Sequence, residues 1–255
     1  MANSNYKLCW MHPQSCSRLN RSPCTHSTEI VGDNVPACHG GCQYYTRCKR
    51  NFEIGQFPNL FWNPPKNFRP AIEDYNALAI TQQVRRNVTS FVNAGQNMII
   101  YSNTHGNGKT LRAVTVASTL ISEYAQKHVY DDNLVRYAYI PKIISDYSLY
   151  DKFSYENGSR QFFYEFVASL NSAKLVIWDD FGYGSDSYVE NTIIRSIISQ
   201  RINEGLSNIF VSTSNLAELS NCIQKKDWLR IKESSIIIEF NGPDMRNTEW
   251  GDTYG

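Results

Sequence analysis

The sequence lacks long apolar runs, internal repeats and low-complexity tracts, and past residue 48 it is almost without cysteine. Its longest apolar stretches fall far below the roughly 20 residues a membrane span needs. The opening "MANSNYKLCWMHPQSCS" carries no apolar core of a secretory signal, so a cytoplasmic protein is expected. Net charge is also nearly missing, at +1 over 255 residues. Hydrophobic residues at 42% and charged residues at 19% leave room for a packed core and argue against wholesale disorder.

What is present is unevenly spread. Residues 1–70 carry eight Lys/Arg against three Asp/Glu, and residues 71–255 carry seventeen against twenty-one. Six of the seven cysteines (Cys9, Cys16, Cys24, Cys38, Cys42 and Cys48) lie in the first 48 residues. With no export signal, such clustering reads as metal binding before disulfides. Residues 1–57 show little periodicity, and the Pro/Asn-rich "FPNLFWNPPKNFRP" (57–70) reads as an extended connector.

From residue 71 apolar patterns alternate between two periods. Helices are expected over 71–94, 110–129, 159–171 and 191–204, and strands over 97–102, 136–141, 173–180 and 208–215. Strand–helix alternation with continuous apolar strands argues for a parallel sheet covered on both faces.

Between the strand "NMIIYS" and the helix from 110 stands "NTHGNGKT", residues 103–110. It follows the phosphate-loop pattern G-x-x-x-x-G-K-[ST], with Asn103 where the first glycine belongs. The loop Asn103, Thr104, His105, Gly106, Asn107, Gly108, Lys109, Thr110 and Leu111 is the candidate nucleotide-binding segment. Backbone amides at a helix N-terminus favour phosphate; Lys109 would reach the terminal phosphates and the Thr110 hydroxyl would bind Mg²⁺. Asn enters the left-handed region more readily than most residues, so Asn103 is expected to sit there at ~1 kcal/mol of strain.

Two carboxylates, Asp179 and Asp180, end the strand "AKLVIWDD". Ligands in parallel sheets bind at the carboxyl ends of strands. Asp179 is assigned to magnesium and Asp180 to the attacking water. The shorter Asp, where many similar sheets use Glu, suggests slow, switch-like hydrolysis. A third strand leads to Asn215, expected beside the γ-phosphate. Arg230 and Arg246 are candidates for stabilising transferred charge.

These stretches, "NGKT", "VIWDDFG", "NIFVSTSN" and "LRIKESSIIIEFNGPDMR", together resemble the AAA+ domain of DnaC/DnaI-type helicase loaders over most of 95–246. The IstB transposition ATPases share much of the pattern. The resemblance implies a RecA-like αβα fold, with Lys109 and Thr110 as Walker A and Asp179 and Asp180 as Walker B. It makes Asn215 sensor 1, Arg230 an arginine finger reaching a neighbouring subunit, and Arg246 sensor 2. Ser187 and Tyr188, just after Walker B, fall where loaders touch single-stranded DNA.

"CHGGCQYYTRCKRNFEIGQFP" (38–58) is similar to the zinc-binding region of DnaI-type loaders, with C-x3-C in place of C-x2-C. Zn²⁺ takes four Cys/His donors. Cys38, Cys42 and Cys48 are read as three of them and Cys24 as the fourth, with Cys16, His39 and His26 as alternatives. The resemblance therefore implies a zinc-binding helicase-docking module over 1–60, a linker over 61–70 and an AAA+ ATPase over 71–255. The implied function is ATP-dependent loading of a DnaB-type replicative helicase onto single-stranded DNA, by subunits joined through the ATP site. The other reading is an IstB-like transposition ATPase on duplex DNA, although that group lacks the cysteine module. A chain this divergent fits phage encoding, with the bacterial host's cytoplasm as its location.

Overall fold

The computed structural model describes residues 7–8, 30–31, 35–38, 71–126, 131, 133–152, 157–183 and 189–245. In the first part, β1 (Lys7–Leu8), β2 (Ile30–Val31) and β3 (Val35–Cys38) pair antiparallel in the order β1-β3-β2. Cys38 enters only as the last backbone position of β3. Cys24, Cys42 and Cys48, and with them the expected zinc centre, lie outside the described residues, as does the linker 61–70.

From residue 71 a short 3₁₀ turn, Ile72–Asp74, leads into α1 (Tyr75–Arg86) and α2 (Val88–Asn93). The periodicity of 71–94 suggested one helix. It breaks at Asn87, whose backbone leaves helical values and whose side chain donates to Gln83 O at 3.2 Å. Asn competes with the helix through such local bonds. Then follow β4 (Asn97–Tyr101), α3 (Lys109–Gln126), β5 (Val135–Tyr139), α4 (Ile140–Lys152) and α5 (Asn157–Ser172). β6 (Leu175–Asp179) precedes a π-helical stretch, Val189–Ile194, that runs into α6 (Arg195–Asn203). β7 (Ser207–Ser212), α7 (Leu216–Asn221), α8 (Lys225–Glu233) and β8 (Ser235–Glu239) complete the order.

The four expected strands are present, with ends shifted by a few residues. The expected strand over 136–141 stops at Tyr139, because α4 starts at Ile140 with Pro141 in its first turn, where the missing N–H costs no helical bond. α4, α7, α8 and β8 extend the alternation beyond what the periodicity indicated.

β4 to β8 form one parallel sheet in the order β5-β6-β7-β4-β8. The strands are short β-branched runs because both faces are covered. Side chains alternate between two cores. Met98, Ile100, Leu175, Ile177, Ile209 and Val211 pack with α1, α2 and α3, while Ile99, Val176, Trp178 and Phe210 pack with α4 to α8. The chain jumps from β4 to the far edge at β5 and then steps back through β6 and β7. Crossovers of one hand put helices on opposite faces when the direction of travel reverses. The reversal opens a crevice above the carboxyl ends of β4 and β7, where such sheets bind ligands. No helix among the described residues is long and apolar enough to cross a membrane.

Candidate nucleotide site

β4 ends at Tyr101 and α3 begins at Lys109, so residues 102–108 carry the chain over that crevice. Gly106 (φ 70°) and Gly108 (φ 95°) take the left-handed conformations of the turn, which a Cβ would strain. Asn103 does not. Asp180 is the only non-glycine residue with positive φ among the described residues. The strain expected at Asn103 is therefore absent: the turn needs its glycines at 106 and 108, both of which the sequence supplies.

Ser102, Asn107 and Lys109 are buried and form the interior of the loop. Ser102 Oγ accepts from Thr104 N at 2.9 Å and from Asn107 Nδ2 at 2.8 Å. Lys109 Nζ donates to Thr104 O and, at 3.2 Å, to Asn107 Oδ1. A buried ammonium must be compensated, and here the loop's own oxygens do it. Asn103 and His105 are exposed, Gly106 and Gly108 are half-buried, and Leu111 turns into the protein. The loop's start is tied to β7 by Ser102 N donating to Ser212 O at 3.2 Å.

The first helical turn meets the end of β6. Thr110 Oγ1 donates to Asp179 Oδ1 at 3.0 Å, across 69 residues of sequence. Asp179 is 4% exposed. Burial raises its carboxyl to about 6; the hydrogen bond from Tyr137 opposes this and the charge of Asp180 adds to it. Asp180 follows at φ 55°, a conformation costing ~1 kcal/mol that Asp tolerates better than most residues. Its neighbour Phe181 holds the turn in place, with its N–H on Val211 O at 2.9 Å and its carbonyl accepting from Ser212 Oγ at 2.7 Å.

Two site residues were not expected from the sequence. Tyr137 donates its phenol to Asp179 Oδ2, and Tyr139, opposite Asp179 in the β5–β6 register, feels the charge of Asp180. Burial, then the neighbouring carboxylate charge, pushes both phenols up. Both come from β5, which pairs directly with β6. Two tyrosines at period 2 in "RYAYIP" were a visible signal, but the pairing that gives it meaning belongs to the fold.

Asn215 stands three residues beyond β7 and caps α7. Its Oδ1 accepts from Ala217 N (2.9 Å) and Glu218 N (3.0 Å), and its own N–H donates to Glu218 Oε2 (3.0 Å). This capping box commits the acceptor of the side chain and leaves its Nδ2 donors for another partner. Arg230 lies exposed on α8, with Nη1 donating to Asn203 Oδ1. The two line a cavity of about 460 Å³ with Gly95, Asn97, Glu233 and Ser234. Those residues start strands or end helices at the amino edge of the sheet. The strands are about 17 Å long, so Arg230 is out of reach of its own chain's loop. Arg246, Ser187 and Tyr188 lie outside the described residues.

Thr110 and Asp179 therefore meet at the start of α3, with hard oxygen donors and the Lys109 ammonium in the loop beside them. That donor set suits Mg²⁺ with phosphates. No protein-family model matches the chain, and no curated protein matches it. Solved structures do. The DnaC helicase loader is 19% identical with TM-score 0.53, over 72% of this chain and all of that one. Domain III of DnaA from Thermotoga maritima is 17% identical with TM-score 0.51, over 70% of this chain and 67% of that one. AMPPCP-bound DnaA from Aquifex aeolicus is 18% identical with TM-score 0.50, over 69% of this chain and about half (50%) of that one. At such identities the likeness speaks for architecture. The strand order, the loop and these neighbours together give the chain the αβα fold that the DnaC helicase loader and DnaA share.

Proposed function

We propose that the protein is an ATP-dependent loader that delivers a DnaB-type replicative helicase to single-stranded DNA. The observation that carries the reading is the Thr110–Asp179 contact under a glycine-turned loop at the switch point of the sheet. The DnaC helicase loader, matched along its whole length, gives that site its context.

In this reading residues 103–111 wrap the triphosphate and Lys109 leaves its loop acceptors for the terminal phosphates. Thr110 and Asp179 hold Mg²⁺, which when bound neutralises phosphate charge. Asp180 orients the attacking water. Tyr137 and Thr110 fix the rotamer of Asp179 through their hydrogen bonds, so that carboxylate is aimed before substrate arrives. Asn215 turns its amide nitrogen to the γ-phosphate while its oxygen stays on the helix. Arg230, at the opposite edge of the sheet, serves the nucleotide of an adjoining subunit, and Arg246 serves its own. Hydrolysis is slow and works as a release signal. Residues 1–60 form the helicase-docking module, with Zn²⁺ on Cys38, Cys42, Cys48 and Cys24. The linker 61–70 joins it to the ATPase of 71–255, and Ser187 and Tyr188 face DNA.

The test is mass photometry of the purified protein with its host's replicative helicase, with and without ATP. The expected result is a nucleotide-sensitive complex of a helicase hexamer with several copies of this chain. Absence of a complex in both conditions, with tight binding to duplex DNA instead, would replace the loader by a transposition-type ATPase.

A further inference from the structure

Asp74 is the most buried carboxylate among the described residues, at 1% exposure, and the chemistry above gives it no role. It ends the 3₁₀ turn that leads the chain into α1. Its Oδ1 accepts from two consecutive backbone N–H groups, Asn241 at 2.7 Å and Gly242 at 3.0 Å, just after β8. The fit requires glycine. A Cβ at 242 would stand 2.4 Å from Asp74 Oδ2 and 2.8 Å from the Ala71 Cβ. The charge of Asp74 also acts on Arg112 in α3.

The segment Asp74 holds is turned toward the phosphate loop. Gly242 O accepts from Asn107 Nδ2 at 3.5 Å, and Met245 N donates to Gly106 O at 3.2 Å. Asn107 in turn offers its Oδ1 to Lys109 Nζ. A chain of contacts thus runs from Asp74 through Gly242 and Asn107 to Lys109. A carboxylate serving only to satisfy a strand end would have no reason to stand behind the loop's one buried amide side chain.

We infer that Asp74 is a positioning residue for the phosphate loop: it docks residues 241–245 as the loop's second wall and so sets the carboxamide that orients Lys109. The inference rests on residues 103–111 being a nucleotide site. It has a consequence for coupling. Asp74 belongs to the stretch through which residues 1–70 join the sheet, so nucleotide at the loop and strain on that junction act on the same contact.

The experiment is titration of the full chain with a fluorescent ATP analogue and MgCl2, at a temperature where every variant is folded. Asp74→Ala is expected to weaken binding tenfold or more. Asp74→Asn, which keeps an acceptor for both amides, should return to within about threefold of the parent. An unchanged Kd in Asp74→Ala, whatever its melting temperature, overturns the inference. If Asp74→Ala does not fold, hydrogen exchange on the unaltered protein decides. Bound analogue should slow the amides of Asn241, Gly242 and Met245 severalfold, and unchanged rates there overturn it. A parent that does not bind the analogue, or a Lys109→Ala variant that binds it as well as the parent, removes the nucleotide site itself. The first pair of failures leaves that site standing.

Discussion

The two edges of the parallel sheet handle buried polar groups in opposite ways. At the amino edge Arg201 is fully buried and each nitrogen of its guanidinium has a fixed acceptor. Nε bonds Asn208 Oδ1 at 2.7 Å, Nη1 bonds Leu170 O and Ala173 O at 2.6 and 2.7 Å, and Nη2 bonds Ser207 O at 2.6 Å. Asn208 is shared with Trp178 and Asn97, and Asn97 with Ser234. Burial draws Arg201 down to about 9, so it stays charged at neutral pH. At the carboxyl edge, two adjacent carboxylates crowd together, one of them buried and one in a left-handed conformation. Polar groups that close on each other make a staple. Polar groups held in conflict make a site waiting for a ligand.

The strongest way to break the comparison is to open the staple. Arg201→Met keeps the length and apolar stem but orphans the carbonyls of Leu170, Ala173 and Ser207. Unpaired buried acceptors cost ~1–3 kcal/mol each and do not add fully. A loss of about 3–5 kcal/mol is expected in urea unfolding, with nucleotide affinity unchanged while the protein is folded. A loss below 1 kcal/mol would mean that the amino edge is as tolerant as the surface.

The opposite edge should respond with the opposite sign. The folded state holds the Asp179 proton more tightly than the unfolded chain, whose carboxyl titrates near the ordinary value. Stability from this group is thus fully present below about pH 4 and is lost as pH rises through about 6. Asp179→Asn removes that penalty and keeps an acceptor for Tyr137. The nucleotide-free variant should be more stable than its parent at pH 7.5, by on the order of 1–3 kcal/mol, and the gap should close toward pH 4. The same variant should lose Mg²⁺-dependent hydrolysis at least a hundredfold. Equal melting temperatures across that range would show that burial imposes no cost on Asp179.

This contrast also marks what was legible in the sequence. The two-period pattern and "NGKT" followed by "VIWDD" suffice for the parallel sheet and the loop, because strand burial and phosphate geometry each restrict local residue choice. Tyr137 and Tyr139 were hidden because β5 and β6 become neighbours only through the sheet order. Asp74 was hidden for the same reason, its partners lying 167 and 168 residues away. Arg201 reads as the polar face of an amphipathic helix until Leu170, Ala173 and Ser207 surround it. Asn103 was legible but over-read: the pattern marks a glycine there, while the turn places its positive φ at Gly106 and Gly108.

The finest test lies where one residue belongs to both regimes. The Asn215 oxygen is satisfied as a helix cap, and its nitrogen is free for chemistry. Asn215→Asp separates them, since Asp caps as well as Asn and gains from the helix dipole. Stability should move by less than about 0.5 kcal/mol. Hydrolysis should fall tenfold or more, because a donor to the γ-phosphate has become a repelling carboxylate, whereas Asn215→Ala should cost ~1 kcal/mol of stability as well. If Asn215→Asp hydrolyses ATP at the parental rate, the residue is a cap alone. The γ-phosphate contact would then have to come from a group nearer the end of β7, with Ser212 and Thr213 the first to replace.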